Sequence, residues 1–136
     1  MSDWYMKLPI EVFSRIKYGF SQKLKDTYKM TDSNFSTVGS SKAPAVFPFV
    51  YFNALPASEQ GRDLQGTSVN GALFTFQVDV YSNKTQNEAR KVMSEVTKVV
   101  KTMGFEIISM PSFESTQDVH RMTARFRRMF GANDKL

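Results

Sequence analysis

Between Ala72 and Met129 the apolar pattern changes period from two to about 3.6 and back again, and this stretch constrains the fold more than any other part of the chain. Phe74, Phe76, Val78 and Val80 alternate with Thr75, Gln77, Asp79 and Tyr81, which predicts a half-buried strand with one wet face. Thr85 followed three residues later by Glu88 has the form of a capping box, in which each side chain satisfies an unpaired backbone donor at the other's position. The helix opened there gathers Ala89, Val92, Met93, Val96, Val99, Val100 and Met103 on one face, and Gly104 closes it. Phe105 to Met110 reads as a further strand and Pro111 to Gln117 as a polar turn. Val119 to Phe130 then reads as a last strand, with Met122, Ala124, Phe126 and Phe130 on the same face as His120 and Arg128. Arg121, Thr123, Arg125, Arg127 and Met129 fall on the other face, so one side of the sheet is packed and the other is strongly cationic.

The N-terminal half is less regular. Leu8 to about Tyr28 predicts a first helix, with Pro9 in the first turn, where a missing N–H breaks no helical bond. Ile10, Phe13, Ile16, Phe20 and Leu24 supply its apolar stripe, and Gly19 within it marks either close packing of the helix at that point or a simply tolerated weakness. Thr31 to Ala45 is rich in Ser, Thr, Asn, Gly and Pro and predicts a loop or extended arm, mobile in a free subunit. Val46 to Leu55 reads as a strand that is apolar on both faces, with both faces covered, and Pro48 places it at an edge or at its first residues. Pro56 to Gly71 is a long polar insertion between two strands. The expected fold is therefore α+β, a mainly antiparallel four-stranded sheet with two helices on one face, in a single domain spanning 1–136 with long loops at about 31–45 and 56–71.

Composition narrows the chemistry. With no cysteine, a disulfide scaffold, a thiol nucleophile and thiolate metal sites are excluded, which fits folding in a reducing cytosol. Asp3 and the charges at Lys7, Glu11, Arg15 and Lys17 argue against a secretion signal, and no apolar run reaches the length of a membrane span. The single histidine, His120, sits among arginines with no Ser/Asp constellation pointing to it, and one His without Cys makes no ordinary zinc site. Asp79 with Glu106 or Glu114 could meet across strands as paired carboxylates, but acid/base work also needs a pocket that shifts their pKa values. The sequence shows no such pocket, so no catalytic residue, cofactor or metal is expected and the chain is read as a non-enzyme.

The net charge of +5 permits an acidic partner without requiring one. Gly61 and Gly66 bracket Arg62, Asp63, Leu64 and Gln65, a spacing superficially like a phosphate-binding loop. Thr67 and Ser68 stand where that motif requires Lys and then Ser or Thr. An ordinary long hairpin arm and an assembly loop remain as readings, the second with Glu59, Arg62, Asp63, Leu64, Gln65 and Val69 as its candidate contact residues. Arg121, Arg125 and Arg127 form the candidate interface or channel face. They also suggest a single-stranded nucleic-acid module with Tyr81 and Phe126 as stacking groups, but Phe126 alternates to the opposite face from the arginines.

Three short segments fall in a particular order: Val80 to Lys84 (Val-Tyr-Ser-Asn-Lys) leading into a helix, Met103 to Phe105 (Met-Gly-Phe) ending it, and the arginine-spaced strand from Arg121 to Arg127. In these the chain resembles the tail terminator, or tail-to-head joining (tail completion), proteins of long-tailed bacteriophages, over roughly the last two thirds of its length. The resemblance implies the same α+β architecture. It also implies a homo-oligomeric ring, most often of six subunits, at the head-proximal end of the tail, which ends tube growth and joins the tube to the head. The implied partners are further copies of the chain, the tail tube protein and the head connector or stopper protein, with DNA passing through the lumen without specific binding and no membrane involved. The implied location is the virion, at the head–tail interface, after assembly in the host cytoplasm. A neighbouring head-completion ring protein and a small basic nucleic-acid-binding module are the alternatives.

Overall fold

Helix α1 (Trp4–Gly19) buries Leu8, Val12 and Ile16, spaced four apart, against the sheet. The computed structural model describes residues 4–37, 46–60, 71–115, 119–131 and 134. Pro9 is the sixth residue of α1, not part of its first turn, because the helix begins four residues earlier than its apolar stripe suggests. The inward stripe is corrected accordingly: Ile10 is 68% exposed, and Phe13 packs from the side with its ring 5.8 Å from that of Phe52. The helix does not run through to Tyr28. It breaks after Gly19, where an added Cβ would lie 3.3 Å from Val99, and α2 (Gln22–Tyr28) follows as a separate short helix ended by Lys29 in the left-handed conformation.

The expected arm from Thr31 begins as ordered structure. Thr31 and Asn34 cap a 3-10 turn over Asp32–Asn34 reciprocally, and the buried Asn34 donates from Nδ2 to the Pro48 carbonyl at 2.6 Å. That bond seats β1 (Phe35–Ser36) parallel to β2 (Phe49–Ala54), which starts just after a cis Phe47–Pro48 peptide bond. In β2 Val50 and Phe52 are buried while Phe49, Tyr51 and Asn53 are half-buried, so only one face is packed by the helices. Residues 38–45, the rest of the expected arm, lie outside the described residues.

The polar insertion also starts with a strand: β3 (Ser58–Gln60) pairs antiparallel with β4 (Gly71–Ser82). After β4 come α3 (Gln86–Thr102), β5 (Glu106–Ser115) and β6 (His120–Gly131). The described residues thus form an α+β fold with three α-helices and a six-stranded mixed sheet, ordered β1-β2-β4-β6-β5 with β3 beside β4. The four-stranded antiparallel sheet with two helices is corrected by the helix break and by two short strands, β1 and β3, too brief to show a periodicity. β5 also runs on through the expected turn at Pro111. Irregular register at Ile107/Ser109 and Ser109/Ser112 lets an edge strand accept a proline.

α1 lies over the β2 and β4 side of the sheet, as the ring pairs Phe13–Phe52 at 5.8 Å and Trp4–Phe74 at 6.4 Å establish, and Phe20, just beyond its end, packs on Phe35 of β1 at 5.6 Å. α3 covers β4 and β6 with Ala89, Val92, Met93, Val96 and Val100, all buried. Phe52, Phe74, Phe76, Phe105 and Phe130 pack ring to ring at 4.9 to 6.0 Å in the centre. Each such ring contributes roughly 1.5–3 kcal/mol by leaving water. Thr85 Oγ1 accepts from the Glu88 N–H at 3.1 Å as the capping pattern predicts. The return half of that box is absent: the buried Glu88 carboxylate accepts from Ser82 Oγ at 2.5 Å instead, tying α3 to the end of β4. At the other end Gly104 has φ 81° and Arg128 donates to the Met103 carbonyl at 2.5 Å, placing a cation at the negative end of the helix.

Candidate assembly face

Both helices that frame the core lie on one side of the sheet, so the side chains that alternate outward on β2, β4, β6 and β5 form an open face. Register assembles them into rows. Tyr51 is opposite Asp79, and Asp79 is opposite Thr123; Asn53 meets Gln77, and Gln77 meets Arg125; Phe49 meets Tyr81, and Tyr81 meets Arg121. The arginine face predicted from alternation is therefore present, with Arg121, Arg125 and Arg127 all on it.

Its electrostatics differ from the expected bare cationic surface. Asp79, predicted on the wet side, is only 2% exposed, because the side chains of its cross-strand neighbours close over it. Arg121 Nη2 lies 3.2 Å from Asp79 Oδ2, Thr123 Oγ1 donates to Asp79 Oδ1, and Gln77 Nε2 donates to the same carboxylate at 3.3 Å. Gln77 in turn accepts from Arg125 Nε at 3.0 Å. Arg127 Nε donates to Glu106 Oε1 at the β5 edge. Two of the three arginines thus face carboxylates of their own sheet, and the third faces an amide oxygen.

Aromatic groups join this network. The Arg121 guanidinium lies 5.8 Å from the Tyr81 ring centroid, and Tyr81 is 6.3 Å from Phe49. Phe126 is fully buried on the other face, as its alternation predicts. Sequence reasoning identified the arginines but not Asp79, Gln77 and Glu106 as their partners. The pairing depends on cross-strand register, which strand alternation alone does not specify.

The remaining candidates are not brought to this face. Glu59 is exposed on β3, in register with Ala72, whose β6 partner is Phe130. Arg62, Asp63, Leu64, Gln65 and Val69 lie outside the described residues. Asp79 and Glu106 are not paired: Asp79 is opposite Thr123 and Glu106 opposite Arg127, four positions apart along β6 or ~13 Å, and the side chain of Glu114, the other expected partner, lies outside the described residues. His120 is half-buried at the start of β6, in register with Ser82, and its Nδ1 has no hydrogen-bond partner among the described residues. Among the described residues no group of three His, Asp or Glu side chains is placed to hold a metal ion, and no helix is long and apolar enough to cross a membrane. Val12, Ile16, Phe52, Phe76, Val100 and Phe105 line an apolar gap between the helices and the sheet, too narrow to admit water.

Tyr28 has a pKa raised above its ordinary 10.0, by burial first and by the negative charge of Glu88 second. The chain matches no protein-family model and no curated protein sequence.

Proposed function

We propose that this chain is a structural phage-assembly protein, a subunit of a ring at the head-proximal end of the tail that ends tube growth and joins the tube to the head connector. The observation that supports it best is the internal bonding of the open face. Arg121, Arg125 and Arg127 are held by Asp79, Gln77 and Glu106 before any partner arrives. A surface of mixed sign whose side chains are already bonded to one another favours association with a protein neighbour, because little rotamer entropy is lost on docking. The order of Val80–Lys84, Met103–Phe105 and Arg121–Arg127, with its resemblance to tail terminators, supplies the identity of that neighbour: another copy, the tail tube protein or the connector.

In this reading the protein catalyses nothing and takes no cofactor, and its place is in the virion. A phage lacking the chain should accumulate filled heads and unattached tails, some of them of uncontrolled length, and added protein should restore joining. Normal virions from that mutant would sink the proposal, and copurification with heads but not with tail tubes would move the chain one layer toward the capsid.

A single-stranded nucleic-acid module is the second reading. It draws on Tyr51 and Tyr81, which share the arginine face as stacking groups would need to. Against it, Asp79 and Glu106 set carboxylates among the arginines, where phosphates would have to displace them. Binding to labelled oligonucleotide that weakens steeply with salt would favour this reading over the first.

A further inference from the structure

The three arginines of the open face are not equivalent. Arg121 lies on Asp79 and Arg127 on Glu106, so each is neutralised within its own sheet. Arg125, between them on β6, is exposed and stands in register with two neutral residues, Gln77 on β4 and Ser109 on β5. Among the described residues its side chain makes one hydrogen bond, from Nε to Gln77 Oε1 at 3.0 Å. Glu114 does not enter this balance, since it stands opposite Arg121, four positions from Arg125 along β6 or ~13 Å. The face therefore carries an uncompensated positive charge at Arg125, with a compensated pair on either side.

The bond to Gln77 also fixes how the guanidinium points. A carboxylate only accepts, so Asp79 requires the Gln77 amide nitrogen, which reaches its two oxygens at 3.3 and 3.4 Å. The amide oxygen is thereby turned to Arg125. Asp79 is in turn held by Arg121 and Thr123. Through this relay Arg125 is oriented by its Nε, and its outer edge, where Nη1 and Nη2 present two parallel N–H groups, has no acceptor among the described residues. Such an edge matches the paired oxygens of a carboxylate or phosphate.

We propose that Arg125 is an anion-binding site that takes one Asp or Glu carboxylate of a protein neighbour on Nη1 and Nη2. This deepens the function proposed above and rests on it for the neighbour's being a protein. The charge pattern favours a single carboxylate over a nucleic-acid strand. Asp79 is diagonal to Arg125 on β4, about 7–8 Å away, and Glu106 stands opposite Arg127, two residues on. A strand with a phosphate at every step would set further phosphates toward these carboxylates, whereas one carboxylate meets the unpaired edge alone. A charge pair of this kind, shielded from water on docking, fixes the register of the contact.

The site is tested first on the isolated full chain, by following the arginine Nε–H signals in heteronuclear NMR during titration with sodium acetate at constant ionic strength. Acetate should move the Arg125 signal and leave those of Arg121 and Arg127, already bonded to carboxylates, near their starting positions. Equal movement of all three, or none at Arg125, would overturn the site. A short oligothymidylate should not bind in place of acetate, and binding that is lost in Arg125→Gln would overturn the protein carboxylate and give the site to phosphate. In phage supplied with variants whose unfolding matches the parent, Arg125→Gln should lower head-to-tail joining at least about tenfold. Arg125→Lys should lower it less, because the charge is kept and the fork is lost. Arg125→Glu should be rescued by suppressors that replace an Asp or Glu of a neighbouring protein with Lys or Arg. Joining at the parent rate by Arg125→Gln, or suppressors confined to Gln77 and Asp79, would overturn the contact and leave the ring function standing. Acetate binding at Arg125 in a protein whose loss leaves virions normal would support the site and sink the function.

Discussion

Arg121 closes Asp79 off from solvent: Nη2 lies 3.2 Å from Oδ2, the guanidinium side chain is a third exposed, and the carboxylate side chain is 2% exposed. The two partners therefore depend on each other unequally. Arg121→Ala would leave a buried carboxylate held only by the neutral donors of Thr123 and Gln77. Asp79→Asn would leave an arginine that water can reach.

This inequality sets the first prediction. Arg121→Ala should destabilise by about 2–3 kcal/mol, Asp79→Asn by roughly half that, and the double variant by less than the sum, because the desolvated charge is removed with its partner. Urea unfolding of the four proteins measures all three quantities. Additive losses would show that the pair is not coupled.

The second prediction tests helix registers. Val12→Asp and Val96→Asp each place an unpaired charge at a site 1% and 0% exposed respectively, and should abolish the soluble fold. Ile10→Asp and Lys98→Asp lie on outer faces and should stay within about 0.5 kcal/mol of the parent. Soluble yield and melting temperature distinguish the pairs, and equal tolerance within either pair would mean that the register is wrong.

These helices also show where sequence reading reached its limit. For α3 the Thr85 cap, the apolar stripe and the Gly104 stop agreed with one another, and the helix lies where they place it. For α1 Pro9 points to a start that the structure does not use, and the apolar spacing through Ile10 is not the buried one, since Leu8, Val12 and Ile16 face inward. A helix start is set by the balance of packing over its whole length, and Trp4 contributes through Phe74, a residue 70 positions away. β1 and β3 are likewise held by partners distant in sequence, and have only two and three residues with which to show a pattern. On the open face, Arg121, Arg125 and Arg127 followed from period-two alternation. The burial of Asp79 did not, because it depends on which β6 residues stand opposite β4.

The third prediction concerns alkaline pH. Tyr28 titrates at a higher pH in the folded chain than in the unfolded one, through burial and then through the nearby charge of Glu88. Below pH 10 both states hold the proton and the stabilisation is fully present. As pH rises from 10 through the raised folded value, the unfolded chain releases its proton first and the stabilisation is lost. Tyr28→Phe should therefore flatten the fall in stability that sets in as pH rises above 10, and Glu88→Gln should shift the Tyr28 absorbance titration downward. A parent and Tyr28→Phe pair with parallel alkaline melting curves would remove Tyr28 from the account.

The last prediction separates the open face's role in the fold from its role in assembly. The Arg127–Glu106 pair is half exposed on both sides, 46% and 59%, so its loss should cost no more than about 1 kcal/mol. Among the described residues Arg125 bonds the Gln77 amide and no carboxylate, and Arg125→Glu should be similarly mild. The combined charge reversal at Arg125 and Arg127 should leave unfolding near that of the parent while inverting the sign of two of the three arginine positions. Asp79 and Glu106 would then stand beside new carboxylates, and a neighbour matched to the original alternation of charge would meet repulsion at each row. Head-to-tail joining should fall at least about tenfold, most steeply at low salt, where surface charges are least screened. Because the fold is spared, the loss cannot be assigned to instability. If the reversed protein joins heads to tails at the normal rate, the network around Asp79 serves only to hold β4 and β6 together, and the partner surface lies elsewhere on the molecule.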